Sequence, residues 1–435
     1  MASTSARTPN SPPGGLPAAD PWPAAVKFVL GARAARSVGQ GALVVGFTLY
    51  LHTLGWSAAA IGAVLSAALL FGVALTLLIG PASDRLGRKQ FLLAYEGVTM
   101  VAAVLALLSS RTWILTLGAV LGGFGRGANG AAGPFGPLEQ AWLAQGLPPS
   151  QRPRVYNRNS TLGFTGMAIG ALLAALPAAW GGTLPGAMAY RPLFALPLLG
   201  SAIGFVLIWK APDMKPARPA AAGDHQARAT RSSSAPDTAR APSVTRRGEN
   251  RLLVRLALAN SLNGIGIGLV APLMAYWFLR RFGHGPATIG PALAASFVMA
   301  ALGAQIAERI VPRFGVVRTV VVMRAVGLVL MLLTPLMPVF GVAAGIWAVR
   351  AAFNQGTLGV RQALTMGLTR QHRQGLAATV NNVSIQVPRA IGPAVAGVML
   401  HYGWLTAPFV VAAMFQFGYL VVYQRFFGGL EPAAG

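Results

Sequence analysis

Between Ser37 and Ser83 the chain carries no Asp, Glu, Lys or Arg. A helix that crosses a bilayer needs about 20 consecutive, mostly apolar residues. That single stretch is long enough for two such helices, and a soluble core does not absorb so much uninterrupted apolar sequence. Further charge-free runs cover 159–190, 192–209, 256–279, 282–307, 325–349 and 390–424. Charged residues make up 10% of the whole chain and hydrophobic ones 54%, whereas a soluble domain carries about 25% charged residues. These runs predict an all-α membrane protein, because a helix satisfies its own backbone where no water is available.

Twelve helices are predicted near 27–51, 57–80, 89–109, 113–137, 159–179, 190–209, 252–278, 287–308, 317–338, 341–366, 376–400 and 404–426. Trp56, Trp113, Trp180, Trp209, Trp277 and Trp404 fall near predicted ends, where interfacial aromatics collect. The chain divides into a disordered tail at 1–26, a six-helix bundle at 27–209, a flexible linker at 210–251, a second six-helix bundle at 252–427 and a short tail at 428–435. The linker is rich in Pro, Ala, Ser and Arg without apolar periodicity, a composition that cannot bury enough surface to fold.

The net charge of +25 raises the possibility of nucleic-acid binding, but the basic residues are scattered over short loops and form no stripe on a folded domain. Sorted by loop, 24 Lys and Arg fall on one side of the predicted membrane, four on the other, and seven within predicted helices. The positive-inside rule then places both termini in the cytoplasm of a multi-pass inner (plasma) membrane protein. Met1–Asp20 lacks the positive-then-apolar order of a signal peptide, so the first helix is expected to act as an uncleaved targeting signal. There is no cysteine, which excludes disulfides and thiolate metal sites. The five histidines have no metal-ligand spacing, and no phosphate-binding G-x-x-x-x-G-K-[ST] loop is present. No metal, cofactor or catalytic constellation is therefore expected.

One charged segment interrupts the apolar sequence between the second and third predicted helices: Gly80-Pro81-Ala82-Ser83-Asp84-Arg85-Leu86-Gly87-Arg88-Lys89. A short cytoplasmic loop needs only positive charge; Asp84 at the end of an apolar helix, flanked by Gly80 and Gly87, is less expected. The pattern G-x-x-x-D-R-x-G-R-K resembles the loop between helices 2 and 3 of major facilitator superfamily transporters, including the bacterial twelve-helix members. The resemblance implies two pseudo-symmetric six-helix bundles and solute movement by alternating access. It also implies that Asp84, Arg85 and Arg88 latch the halves near the start of the eleventh helix, where a carboxylate is favoured beside a helix N-terminus. An internal repeat agrees with two parallel halves. Glu139-Gln140-Ala141 precedes Leu147 and Arg152, Arg361-Gln362-Ala363 precedes Leu368 and Arg373, and Arg85-Leu86-Gly87 is echoed by Arg313-Phe314-Gly315.

Arg126-Gly127-Ala128-Asn129-Gly130, in the fourth predicted helix, resembles the R-x-x-x-G element of the superfamily's drug–proton antiporters, in which the Arg is linked to proton coupling. The alternative is an Arg that bonds helix carbonyls. The Gly-Pro element of such antiporters is missing from the fifth helix, where Gly166 and Gly170 read as small residues for close packing. A Gly-Pro stands instead in the eleventh, as Gly392-Pro393, and is expected to kink it.

Other intramembrane polar residues carry two readings each. Arg33, Arg36 and Gln40 share one face of the first helix by their spacing of three and four; the arginines either snorkel or line the cavity. Glu96 pairs with an intramembrane Arg or carries a proton. Glu139 is expected to pair with Arg88 or Arg152. Asn260, Asn263, Arg350, Asn354 and Arg389 are candidate substrate or coupling residues; interhelical hydrogen bonding is the rival role for the amides.

Together these features predict a monomeric secondary transporter of a small solute. Proton-coupled efflux of a drug or metabolite is the preferred expectation. Transport of an organic anion by the intramembrane arginines is the alternative, and a non-transporting receptor or scaffold is the remote one.

Overall fold

The computed structural model describes residues 22–127, 135–145, 147, 151–213, 246–357, 361 and 374–428. Residues 1–21 and 429–435 of the predicted tails, Asn129 and most of the 210–251 linker lie outside the described residues, whereas 24–26, assigned to the first tail, already belong to α1. So do the side chains at 80, 84, 85 and 308.

The first half contains α1 (Ala24–Thr53), α2 (Ala58–Leu86), α3 (Arg88–Leu108), α4 (Thr112–Gly122), α5 (Phe135–Gln145) and α6 (Arg152–Leu173). A 3-10 segment at Gly186–Phe194 then leads into α7 (Ala195–Lys210). The second half contains α8 (Arg246–Val270), α9 (Met274–Phe282), α10 (Pro286–Phe314), α11 (Val316–Leu333), α12 (Phe340–Gly356), α13 (Gln374–His401) and α14 (Ala407–Phe427). Nine apolar spans among the described residues are long enough to cross a membrane. The predicted spans outside those nine are α1, with its arginines and Gln40, the interrupted α4 and α5, and α12, which has 17 residues. The arrangement is the all-helical, two-half architecture expected from the sequence.

Local chemistry sets the helix boundaries. Ser57 caps α2 by accepting from the Ala60 N–H at 3.2 Å, a standard N-cap contact. Gly87, at φ +96°, separates α2 from α3, and Gly315, at φ +78°, separates α10 from α11. Only glycine adopts such angles without steric cost, so the two echoed loop motifs form the same break in each half.

Three expectations need revision. The fourth predicted helix, 113–137, is not continuous: Gly123 at φ +78° ends α4, and Arg126 sits in the turn that follows. Residues 246–251, assigned to the linker, already belong to α8. Trp277 is not interfacial; it is buried against Phe278, Phe282 and Phe409, and its Nε1 donates to the Leu405 carbonyl at 2.8 Å.

The halves meet along α2 with α13 and along α6 with α10, with α1 also touching α9. The crossings are close because glycine stands at them. A methyl group on Gly62 would come within 2.1 Å of the Pro393 carbonyl, and one on Gly290 within 2.6 Å of the Ala171 carbonyl. At the Pro393 position the Ala394 N–H donates to Ser66 Oγ of α2 at 2.8 Å, so a neighbouring helix satisfies the disturbed backbone. His52 of α1 meets Tyr276 of α9 edge-on. These contacts lie toward the end of the molecule opposite the 80–89 segment. Within the first half, Gly170 packs α6 onto α1, where a methyl group would stand 1.9 Å from the Val38 carbonyl.

Candidate substrate site

One face of α12 supplies most of the site's chemistry. Trp347, Arg350, Ala351, Asn354 and Gln355 recur at helical spacing, so they share that face. They line a cavity completed by Ile267 of α8, Ala271, Ser296, Phe297 and Ala300 of α10, Arg324 of α11, and Phe164 of α6 from the other half. Apolar and aromatic side chains line it together with five polar ones, Ser296, Arg324, Arg350, Asn354 and Gln355.

Arg350 is 6% exposed. Its guanidinium lies 4.4 Å from the centre of the Trp347 ring, and Nη2 donates to Met331 Sδ at 3.3 Å. Nε has no hydrogen-bond partner among the described residues. A thioether and an indole face are weak partners for a buried cation.

Arg324 is better satisfied. Its Nη1 donates to Oδ1 of Asn263 and to Oδ1 of Asn354, each at 3.0 Å, and its Nε donates to Thr357 Oγ1 at 3.2 Å. Its guanidinium also lies 5.6 Å from the Tyr419 ring centre. Sequence reasoning marks Arg324 only as a basic residue within a helix. Two signals single it out: it interrupts the apolar run of α11, and it stands nine residues beyond Gly315, as Glu96 stands nine beyond Gly87.

The other expected site residues are dispersed. Arg36 donates to both Glu96 and Glu139, and all three side chains are buried. Arg36 therefore neither snorkels nor lines the α12 cavity; it ties α1 to α3 and α5. Glu139 is bound to Arg36, not to the loop cations. Arg88 Nη1 donates to the Ala141 carbonyl, and Arg152 Nε donates to the Leu147 carbonyl at 3.2 Å. Lys89 Nζ reaches the Ala211 carbonyl at 2.7 Å. Arg33 is buried against Gly163, and Gln40 is half-buried.

Arg126 Nη2 donates to the carbonyls of Val120 and Leu121 at 2.9 and 3.4 Å, so its guanidinium caps the interrupted end of α4. Asn260 Nδ2 donates to Asn381 Oδ1 at 2.9 Å and to Ser384 Oγ at 3.2 Å, stitching α8 to α13. Arg389 Nη1 donates to Gln386 Oε1 at 3.2 Å. Of the sequence candidates, the structure brings Arg350 and Asn354 together in the cavity, with Asn263 behind them through Arg324.

The Major Facilitator Superfamily profile matches residues 29–250 and 256–434, and the chain belongs to that family. Solved structures agree in fold. The D-xylose-proton symporter has 13% identity and a TM-score of 0.67, over 92% of this chain and 97% of its own. The nucleoside transporter NupG has 14% identity and a TM-score of 0.62, over 94% and 99%. The human organic anion transporter MFSD10 (TETRAN) has 17% identity and a TM-score of 0.60, over 92% and 99%. No curated protein matches the sequence.

Proposed function

We propose that the chain is a secondary transporter of a small organic anion, bound by Arg350 in the α12 cavity. The observation that carries this reading is a buried guanidinium, 6% exposed, whose only hydrogen-bond partner among the described residues is a thioether. A buried charge is costly unless paired. The second bundle, 252–427, contains a single carboxylate, Glu308, beside Arg309 at the far end of α10. An anionic solute would supply the missing counter-charge.

The 80–89 end, richer in Lys and Arg, is read as cytoplasmic. The seam at the opposite end would then close the outer face while the cavity communicates inward. The expected 80–89 latch would form when the cycle reverses.

The test is counterflow in proteoliposomes with a panel of radiolabelled organic anions and neutral analogues. Arg350→Gln should lower anion exchange at least about tenfold, the size of a lost charge-assisted hydrogen bond. Exchange of neutral solutes with no response to Arg350→Gln would overturn the reading.

A second reading, proton-coupled efflux, is favoured by one observation: Arg36 bridges two buried carboxylates. A proton on either Glu96 or Glu139 would weaken that bridge. Glu96→Gln should then abolish any drive from a pH gradient while leaving exchange intact; a drive that survives the substitution removes Glu96 from coupling.

A further inference from the structure

If Arg350 holds the anion, Arg324 has a second role, because its Nε and Nη1 already meet three neutral oxygens. A guanidinium has no acceptor, so Asn263 and Asn354 must each turn Oδ1 toward Arg324 and Nδ2 away from it. The consequence differs at the two amides. Asn263 is fully buried and does not line the cavity, and its Nδ2 meets no acceptor among the described residues. Asn354 lines the cavity one turn of α12 from Arg350, and its side-chain oxygen accepts from Arg324.

The geometry points to Arg324 as a positioning residue that fixes the Asn354 amide with Nδ2 toward the cavity. Asn354 and Arg350 then form a two-donor clamp for one carboxylate. The substrate class follows from the same wall. Arg350 and Asn354, one turn apart on α12, turn their donors toward one carboxylate group. Phe164, Ile267, Phe297 and Trp347 offer an apolar bed for the rest of the molecule. The solute is an aromatic or branched-chain carboxylate. This inference rests on the anion reading above and adds the clamp, the role of Arg324 and the class of carboxylate.

The test compares two substitutions that put the same charge on the same arginine. Asn354→Asp keeps an oxygen on Arg324 but replaces the cavity-facing donor with an acceptor. Asn263→Asp makes the same change outside the cavity and removes a buried N–H group that lacks an acceptor. Binding of benzoate, with benzamide as its neutral counterpart, is titrated on the purified full chain by thermal stabilisation and by tryptophan fluorescence. Asn354→Asp should weaken benzoate at least about tenfold, since one donor to a carboxylate is lost and an acceptor opposes it. Asn263→Asp should weaken benzoate clearly less than Asn354→Asp does, with an unliganded melting temperature equal or higher.

Equal weakening in both variants, or none in Asn354→Asp, overturns the clamp. Arg324→Lys gives an independent measure should Asn354→Asp fail to fold. One ammonium does not hold both amides and Thr357 in the same geometry, so benzoate affinity should fall; unchanged affinity overturns the positioning role. If the unsubstituted chain binds no benzoate, or binds benzamide equally well, the anion reading itself fails, whatever the variants show.

Discussion

The two bundles bury arginine in opposite ways. In the first, Arg36 is held by two carboxylates, Glu96 from α3 and Glu139 from α5. In the second, Arg324 is held by two amides and a hydroxyl, and Arg350 by an indole face and a thioether. The difference falls on matched positions. Glu96 and Arg324 each stand nine residues after the left-handed glycine that starts their helix. Glu139 and Arg361 each open the repeated Gln-Ala motif. The repeat has thus inverted its charge at these positions, from carboxylates in the first half to arginines in the second. An internally paired cluster suits a rigid bundle. A cationic cluster held only by neutral groups suits a bundle that takes its counter-charge from a solute.

The comparison breaks most readily at Arg36. Arg36→Gln would remove the cation that bridges two buried carboxylates, a loss of about 3–5 kcal/mol. It should appear as a large fall in melting temperature and in membrane-inserted protein. Adding Glu96→Gln and Glu139→Gln should recover most of that loss; failure to recover would mean that the cluster does more than neutralise itself.

Arg350→Gln should behave in the opposite way. It removes a weakly satisfied cation, so the unliganded melting temperature should hold within about 1 kcal/mol of stability while anion exchange collapses. A fall as deep as that of Arg36→Gln would show that the second bundle also depends on its cation for folding.

The seam between the halves comes next. Gly62→Val drives a side chain into the Pro393 carbonyl, which would stand only 2.1 Å from the first added carbon. The contact must open, so spin labels on Leu54→Cys and Trp404→Cys should move apart. The chain has no native cysteine to interfere. An unchanged distance would mean that the α2–α13 crossing does not hold this end closed.

The smallest expected effect is at Gly123. Gly123→Ala forces φ +78° on a residue with Cβ and crowds the Arg126 guanidinium at 2.7–2.8 Å. The backbone term alone is about 1–2 kcal/mol. The substitution should lower the melting temperature modestly and should leave anion binding in the second bundle unchanged.

Most of the fold was legible because its cause is one-dimensional. A charge-free run such as 37–83 has no stable alternative to spanning a bilayer, and the Gly87 and Gly315 breaks follow from local backbone sterics. The interruption of α4 was marked in the sequence by Gly122, Gly123, Gly125 and Gly127, breakers that a single helix over 113–137 ignores. The site was legible only in part. Arg350 and Asn354 share a helix face by their spacing of four, so the sequence shows them together. Glu139 was matched with loop cations near it along the chain, whereas its partner, Arg36, lies 103 residues away.

By itself the sequence determined that the chain crosses a membrane many times, that it is built as a repeat, and that its second half is cationic within the bilayer. Hydrophobic transfer, helix periodicity and formal charge act residue by residue and need no partner. Tertiary structure alone decided which buried arginine is neutralised by a carboxylate, which by amides, and which is left facing a cavity. Those outcomes depend on which helix faces meet across long sequence separations. In a low-dielectric interior, a few ångströms separate a paired charge from one free to bind a solute.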